Sequence, residues 1–157
     1  MIKRKAEESD LEAILILYVK SIQETCKNDY SYEQIEAWTA SVEDRDKWLT
    51  RIKEQCFILI ELADELAGFA SLENNSYIDL MYVDPRFQGQ GVATRLLREL
   101  LALTNASELT TDASITARPF FEKHGFEVIK ENRFKLKGVE IINYQMTLLH
   151  KIQNTIY

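Results

Sequence analysis

Proline, glycine and cysteine are all scarce in this chain, at 2, 5 and 2 residues of 157. Cys26 and Cys56 stand far apart, with no CxxC pair and no histidine at ligand spacing. That pattern excludes a disulfide framework and a structural zinc site, and it indicates free thiols in a reducing compartment. No Pro/Gly/Ser-rich linker, repeat or low-complexity tract interrupts the sequence, so a single domain spanning residues 1–157 is expected. Long hydrophobic runs are missing too. The longest, residues 13–19, is far too short to cross a bilayer, and the N-terminal MIKRKAEESD has no apolar stretch behind it to make a signal peptide. A cytoplasmic protein without a membrane partner is therefore expected. Basic residues are outnumbered as well: 19 Lys and Arg face 25 Asp and Glu, a net charge of -6. That balance argues against nucleic-acid binding, which needs a basic surface, and is compatible with a cationic small substrate.

What is present is an ordinary globular composition, 46% hydrophobic and 28% charged, in a chain long enough to bury a proper core. Loose alternation over residues 2–6 predicts a first strand. Ser9 with Glu12 reads as a capping box for a helix whose apolar face is Leu11, Ile14, Leu15, Tyr18, Val19 and Ile22. Ser31 with Gln34 opens a second helix through Ile35 and Trp38, and Ser41 is placed to cap a third over residues 42–53. β-Branched and aromatic runs predict strands at 56–62, 66–72 and 77–83, joined by turns at 63–65 and 74–76. Further strands are expected at 108–111, 126–130 and 139–149, with a short helix at 116–124 stopped by Gly125. The order is β-αα(α)-βββ-α-β-α-ββ, a mixed α/β sheet with helices on its faces.

Residues 80–100, LMYVDPRFQGQGVATRLLREL, organise this pattern. An apolar strand ends at Val83, and Asp84-Pro85 breaks it because proline donates no amide hydrogen. Gly89 and Gly91 permit positive φ and close approach to a ligand. Val92, Leu96, Leu97, Leu100 and Leu101 then recur at helical spacing. A glycine loop entering a helix presents unpaired N–H groups at the positive end of the dipole, which suits phosphate. No lysine follows Gly91 and Thr94 stands where a third glycine would be, so neither a P-loop nor a dinucleotide fingerprint is present. A compact strand–turn–helix connection with no ligand is the structural alternative.

The stretch Gln88-Gly89-Gln90-Gly91-Val92-Ala93 after Val83-Asp84-Pro85 resembles the Q/R-x-x-G-x-G/A hallmark of the GNAT superfamily of N-acetyltransferases. The segment ARPFFEKHGF, residues 117–126, is similar to a second signature of that family. The likeness runs the length of the chain and is strongest to the YafP-like branch. It implies an α/β (α+β) fold with a mixed, mostly antiparallel sheet splayed between its fourth and fifth strands. It implies acetyl-CoA as co-substrate, with its pyrophosphate on Gln88, Gly89, Gln90, Gly91, Val92, Ala93 and Thr94. The pantetheine arm would lie along Met81, Tyr82 and Val83, with Ser114 and Phe121 completing the CoA site. Tyr30, Tyr32 and Trp38 fall in the segment that lines the acceptor pocket in the family. The acceptor is an amine of a small molecule or a protein, and the resemblance allows a homodimer.

Such transfer needs a proton acceptor for the ammonium and stabilisation of the leaving thiolate. Asp79, on a strand face read as shared with Tyr77 and Met81, is the candidate base; an ion pair with an arginine such as Arg118 is the structural alternative. The family's usual thiolate-protonating tyrosine is replaced here by Phe121, which cannot donate a proton. Tyr144 is the candidate acid in its place, with Tyr30 and Tyr32 also within the reading. The same replacement motivates the alternative of a CoA-binding module without chemistry.

Overall fold

The computed structural model describes residues 1–150. One sheet contains seven strands: β1 (Ile2–Lys5), β2 (Cys56–Leu62), β3 (Glu65–Glu73), β4 (Tyr77–Val83), β5 (Glu108–Ser114), β6 (Glu127–Leu136) and β7 (Val139–Leu149). Their spatial order is β1-β2-β3-β4-β5-β7-β6. Pairing is antiparallel throughout except between β4 and β5, which run parallel. Five helices cover the sheet: α1 (Leu11–Thr25), α2 (Tyr32–Thr39), α3 (Arg45–Glu54), α4 (Val92–Leu103) and α5 (Arg118–Lys123).

The hairpins close where consecutive residues adopt left-handed backbone, Ala63-Asp64, Asn74-Asn75 and Lys137-Gly138. Two such residues match the right-handed twist of the strands they join. The sheet separates two cores. On one face Ile14, Tyr18, Trp48 and Ile52 pack on Phe57 and Phe69, whose rings stack at 5.6 Å. On the other, Val92, Leu96, Leu97 and Leu100 of α4 pack against Ile58, Ile60 and Ala70, and Phe121 and Phe126 extend that cluster. The α4 stripe follows the spacing that predicted it.

Three local expectations are corrected. The turn before α1 is closed by Glu7 and Asp10 rather than by Ser9 and Glu12: Asp10 accepts from the Glu7 amide at 2.8 Å. It also takes both ends of the Arg4 guanidinium, at 2.8 and 2.7 Å. The third helix begins later than expected and is capped by Asp44, which accepts from the Lys47 amide at 3.1 Å. Ser41 lies in a preceding 3-10 turn, where its hydroxyl meets the Tyr18 phenol at 3.2 Å and its carbonyl accepts from the Trp48 indole at 3.1 Å. Finally, β6 extends to Leu136. Residues 131–136 belong to an edge strand with mostly exposed side chains, and four polar residues in a row, Lys130 to Arg133, interrupt the apolar pattern that marks a half-buried strand.

Two anchoring carboxylates, Asp10 beside Arg4 and Asp84 beside Arg86, make the fold acid-sensitive. Arg4 holds Asp10 below its ordinary value. Burial opposes ionisation of Asp84, but hydrogen bonds from Arg86 outweigh it and hold this carboxyl low as well. With folded values below the unfolded ones, the native state binds fewer protons in this range, so stability falls as pH drops. The contribution is complete above the ordinary value of 3.8 and is lost as pH falls through the folded values. Urea midpoints should therefore decline below about pH 4, and Asp10→Asn should flatten part of that decline.

Candidate functional site

The parallel pairing of β4 with β5 involves only Tyr77 with Thr110 and Ile78 with Thr111. The Thr111 hydroxyl seals the last rung by donating to the Ile78 carbonyl at 3.0 Å. Beyond Ile78 the strands diverge, and β5 continues instead against β7, from Glu108 with Leu149 to Ser114 with Asn143. The stretch of β4 from Asp79 to Val83 therefore has a free edge toward the gap. An edge of unpaired N–H and C=O groups accepts an extended ligand as an added strand.

At the end of β4, Asp84 is buried and accepts from the Arg86 amide at 2.9 Å, fixing the turn at Pro85. Gly89 and Gly91 follow at φ +74 and +83, in the left-handed region. Gly91 is the N-cap of α4, and the first bond of the helix runs from the Arg95 amide to the Gly91 carbonyl at 3.0 Å. The N–H groups of Val92, Ala93 and Thr94 are thus left without intrahelical acceptors. Among the described residues, chain neighbours aside, nothing lies within 4 Å of a Cβ built on Gly89, and only the tip of Met1, 3.8 Å away, approaches one on Gly91. The loop fits the expected anion cradle: amides at a helix start, positive φ and room for a backbone to approach. Gly68 on β3, which the sequence reading passed over, lets the helix sit there. A Cβ on it would be 2.9 Å from both the Tyr82 carbonyl oxygen and Val92 Cγ1.

A cleft of about 320 Å³ opens in the gap. Of the residues assigned to CoA, Met81, Tyr82, Val83, Gln88 and Ala93 line it, as do Ser114 and Phe121 across the gap. Ser114 caps the next turn, accepting from the Ala117 amide at 3.0 Å. Phe121 is buried and packs edge-on to Phe126 at 5.1 Å. Gly89, Gln90, Gly91 and Thr94 form the adjoining loop and helix start, while the Val92 side chain is core.

Asp79 also lines the cleft. Ser71 pairs with Leu80 and Leu72 with Ile78, so Asp79 is the extra residue of a β-bulge. The bulge resets the two-residue period, which corrects the expectation that Asp79 and Met81 share a face. Met81 packs in the α4 cluster, whereas Asp79 turns to α3 on the opposite side, meeting Arg51 Nε at 3.2 Å and Gln55 Nε2 at 2.8 Å. Both contacts fall on Oδ2; Oδ1 has no hydrogen-bond partner among the described residues. Its arginine is Arg51, not Arg118, which instead pairs with Glu122 and covers the Tyr144 ring at 4.6 Å.

The tyrosines divide. Tyr30 lines the cleft, edge-on to Trp38 at 5.3 Å, and its hydroxyl is fully engaged. It donates to the Ile142 carbonyl at 2.7 Å and accepts from the Ile115 amide at 2.9 Å, and burial pushes its phenol up to about 12. Tyr32 is 75% exposed and bonds Glu36 at 2.7 Å, away from the cleft. Tyr144 lies outside the lining, with its hydroxyl 3.4 Å from Glu131. Burial raises the Cys26 thiol in the cleft wall, so it is held as the thiol and is no ready nucleophile.

Much of the opposite wall was not anticipated. Phe134 and Leu136 of β6 and Ile141 and Asn143 of β7 reach the cleft, as does Asp112 of β5. A polar chain links these strands: Asn132 donates to Asp112 at 2.8 Å and to Asn143 at 2.9 Å, and Tyr77 donates to Asp112 at 2.7 Å. Alternation within a strand could have put Phe134 and Leu136 on one face, but nothing in it says which element that face meets.

Comparison with known proteins gives a consistent result. Residues 26–148 match the acetyltransferase (GNAT) domain family. The chain is 34% identical over 144 residues to the uncharacterized N-acetyltransferase YafP of Escherichia coli (strain K12), covering 91% of this chain and 92% of that one. It superimposes on a GCN5-related N-acetyltransferase of Rhodopseudomonas palustris with a TM-score of 0.91 at 33% identity, covering 94% of each chain. The PaiA N-acetyltransferase of Thermoplasma acidophilum, solved in complex with coenzyme A, shares the fold at a TM-score of 0.76 and 20% identity, covering 94% of this chain and 98% of that one.

Proposed function

The chain belongs to the GNAT family of acetyltransferases, and from that premise we propose that it transfers an acetyl group from acetyl-CoA directly to a primary amine of a small molecule or protein. One juxtaposition supports the reading: the free edge of β4 runs from a carboxylate in the cleft to a positive-φ glycine loop at a helix N-terminus. A CoA thioester supplies an activated acyl group, an extended amide-bearing arm and a pyrophosphate, and these match the cleft, the edge and the loop in order. The amides at 88–94 hold the pyrophosphate, and Met81, Tyr82 and Val83 align the arm.

Asp79 takes the proton that the ammonium must lose, through the oxygen that Arg51 and Gln55 leave free. The nitrogen then forms its bond to the acetyl carbon, the carbon–sulfur bond breaks, and the sulfur keeps the electron pair. Tyr144 is proposed to protonate the thiolate through intervening water, since Phe121 carries no proton and the Tyr30 hydroxyl is committed to Ile142 and Ile115. Coenzyme A should raise the melting temperature, because a ligand at about 100 times its dissociation constant adds about 2.7 kcal/mol. A panel of amines should release free thiol saturably, with the acetylated product identified by mass. Stabilisation by CoA without thiol release from any amine overturns the catalytic reading and favours a CoA-binding module.

A further inference from the structure

The cleft described above contains a second carboxylate that its proposed reaction does not require. Among the described residues its lining includes two carboxylates, Asp79 and Asp112, and no lysine, arginine or histidine. Asp79 shares its charge with Arg51 behind it. Asp112 accepts only from the neutral groups of Tyr77 and Asn132, and it forms no ion pair among the described residues. The remaining surface on the α2 and hairpin side is largely aromatic and aliphatic: Tyr30, Trp38, Phe134, Leu136 and Ile141. Phe134 is 36% exposed beside the cleft, apolar area that an occupant would cover.

Resting on the acetyltransferase reading, we propose that the acceptor is a small arylalkylamine without a carboxylate. Its ammonium is drawn toward Asp79 and Asp112, and its ring lies against Trp38, Phe134 and Leu136. An α-amino acid of the same shape is rejected, because its carboxylate would be brought near like charge with no cation among the described lining residues to receive it. Aryl faces also suit edge-on contact with the Tyr30–Trp38 pair, which already packs in that way. The CoA arm takes part of the same cleft of about 320 Å³, already at the small end of ligand pockets, which favours a small acceptor.

Matched substrate pairs test this. Thiol release should show kcat/KM roughly tenfold or more higher for 2-phenylethylamine than for phenylalanine, and likewise for tryptamine over tryptophan. Asp112→Asn removes the charge while keeping one of the two acceptor oxygens that Tyr77 and Asn132 now use separately, and should narrow both ratios, with the unliganded melting temperature checking the fold. Phe134→Ala should raise KM for 2-phenylethylamine and shrink its advantage over propylamine, with the unliganded melting temperature checking the fold. Ratios near one or reversed, a lysine peptide outrunning both arylalkylamines, or acetylation of neither member of either pair would overturn the inference. If thiol is released from other amines, the acetyltransferase reading survives that failure. Should CoA itself give no thermal shift, both fall together.

Discussion

Replacing Gly91 with valine is expected to remove CoA binding while leaving most of the fold intact. Gly91 holds φ +83 as the N-cap of α4, a conformation a β-branched residue enters only with strain. Relaxing that strain rotates the amides that follow, and these have no intrahelical acceptor to hold them. Charge-assisted bonds of this kind contribute about 1.5–3 kcal/mol each, so misdirecting two of them weakens binding by roughly 100-fold or more. The thermal shift produced by CoA should disappear, and the unliganded protein should lose about 1–3 kcal/mol, the usual cost of such backbone strain. The same replacement at Gly138, also at positive φ but in the β6–β7 hairpin outside the loop, should leave the CoA-induced shift in place. A Gly91 variant that binds CoA normally would remove the loop from the site.

The second large effect is expected at Asp79. Asp79→Asn keeps the size of the side chain and an oxygen for Gln55 and Arg51, so the bulge and α3 should remain in place. What it removes is the ability to take a proton. General bases contribute typically 10²–10⁴-fold, so kcat/KM should fall by roughly 100-fold or more, with the CoA-induced thermal shift unchanged. The pH dependence separates a base from a tether. Alkylammonium groups lose their proton near pH 10, as lysine does, so raising the pH supplies neutral amine without help from the enzyme. The defect should therefore shrink as the pH rises. A defect that is constant with pH and accompanied by a lower melting temperature would make Asp79 a structural partner of Arg51.

Some of this molecule was legible in the sequence because the signals are local. The α4 stripe, the capping box at Ser31 and Gln34, and the glycine pair depend on neighbours within a few positions. The same holds for the hairpin turns, which the structure forms at 63–64, 74–75 and 137–138. Resemblance to the family supplied the mostly antiparallel sheet and its splay, which periodicity alone does not determine. Other features escaped for identifiable reasons. The second half of β6 is a largely exposed edge that follows a run of polar residues, and Ser9 lost its cap because Arg4, from a strand across the turn, fixes Asp10 instead.

The sequence by itself determined the order of the elements, the glycine loop before α4 and the excess of acidic over basic residues. Only the tertiary structure decided how Asp79 faces and what surrounds it. One bulged residue inverts the side on which a strand displays its side chains, and bulges arise from pairing with β3 rather than from the sequence of β4. The acceptor wall is likewise a product of folding. It joins Tyr30 and Trp38 to residues of β6 and β7 more than 90 positions away, brought together because β5 leaves β4 after Ile78 and pairs with β7 instead. At Gly89 and Gly91 the sequence specified where the backbone could turn. Packing of α4 against Gly68 and β4 decided where the resulting amides would sit.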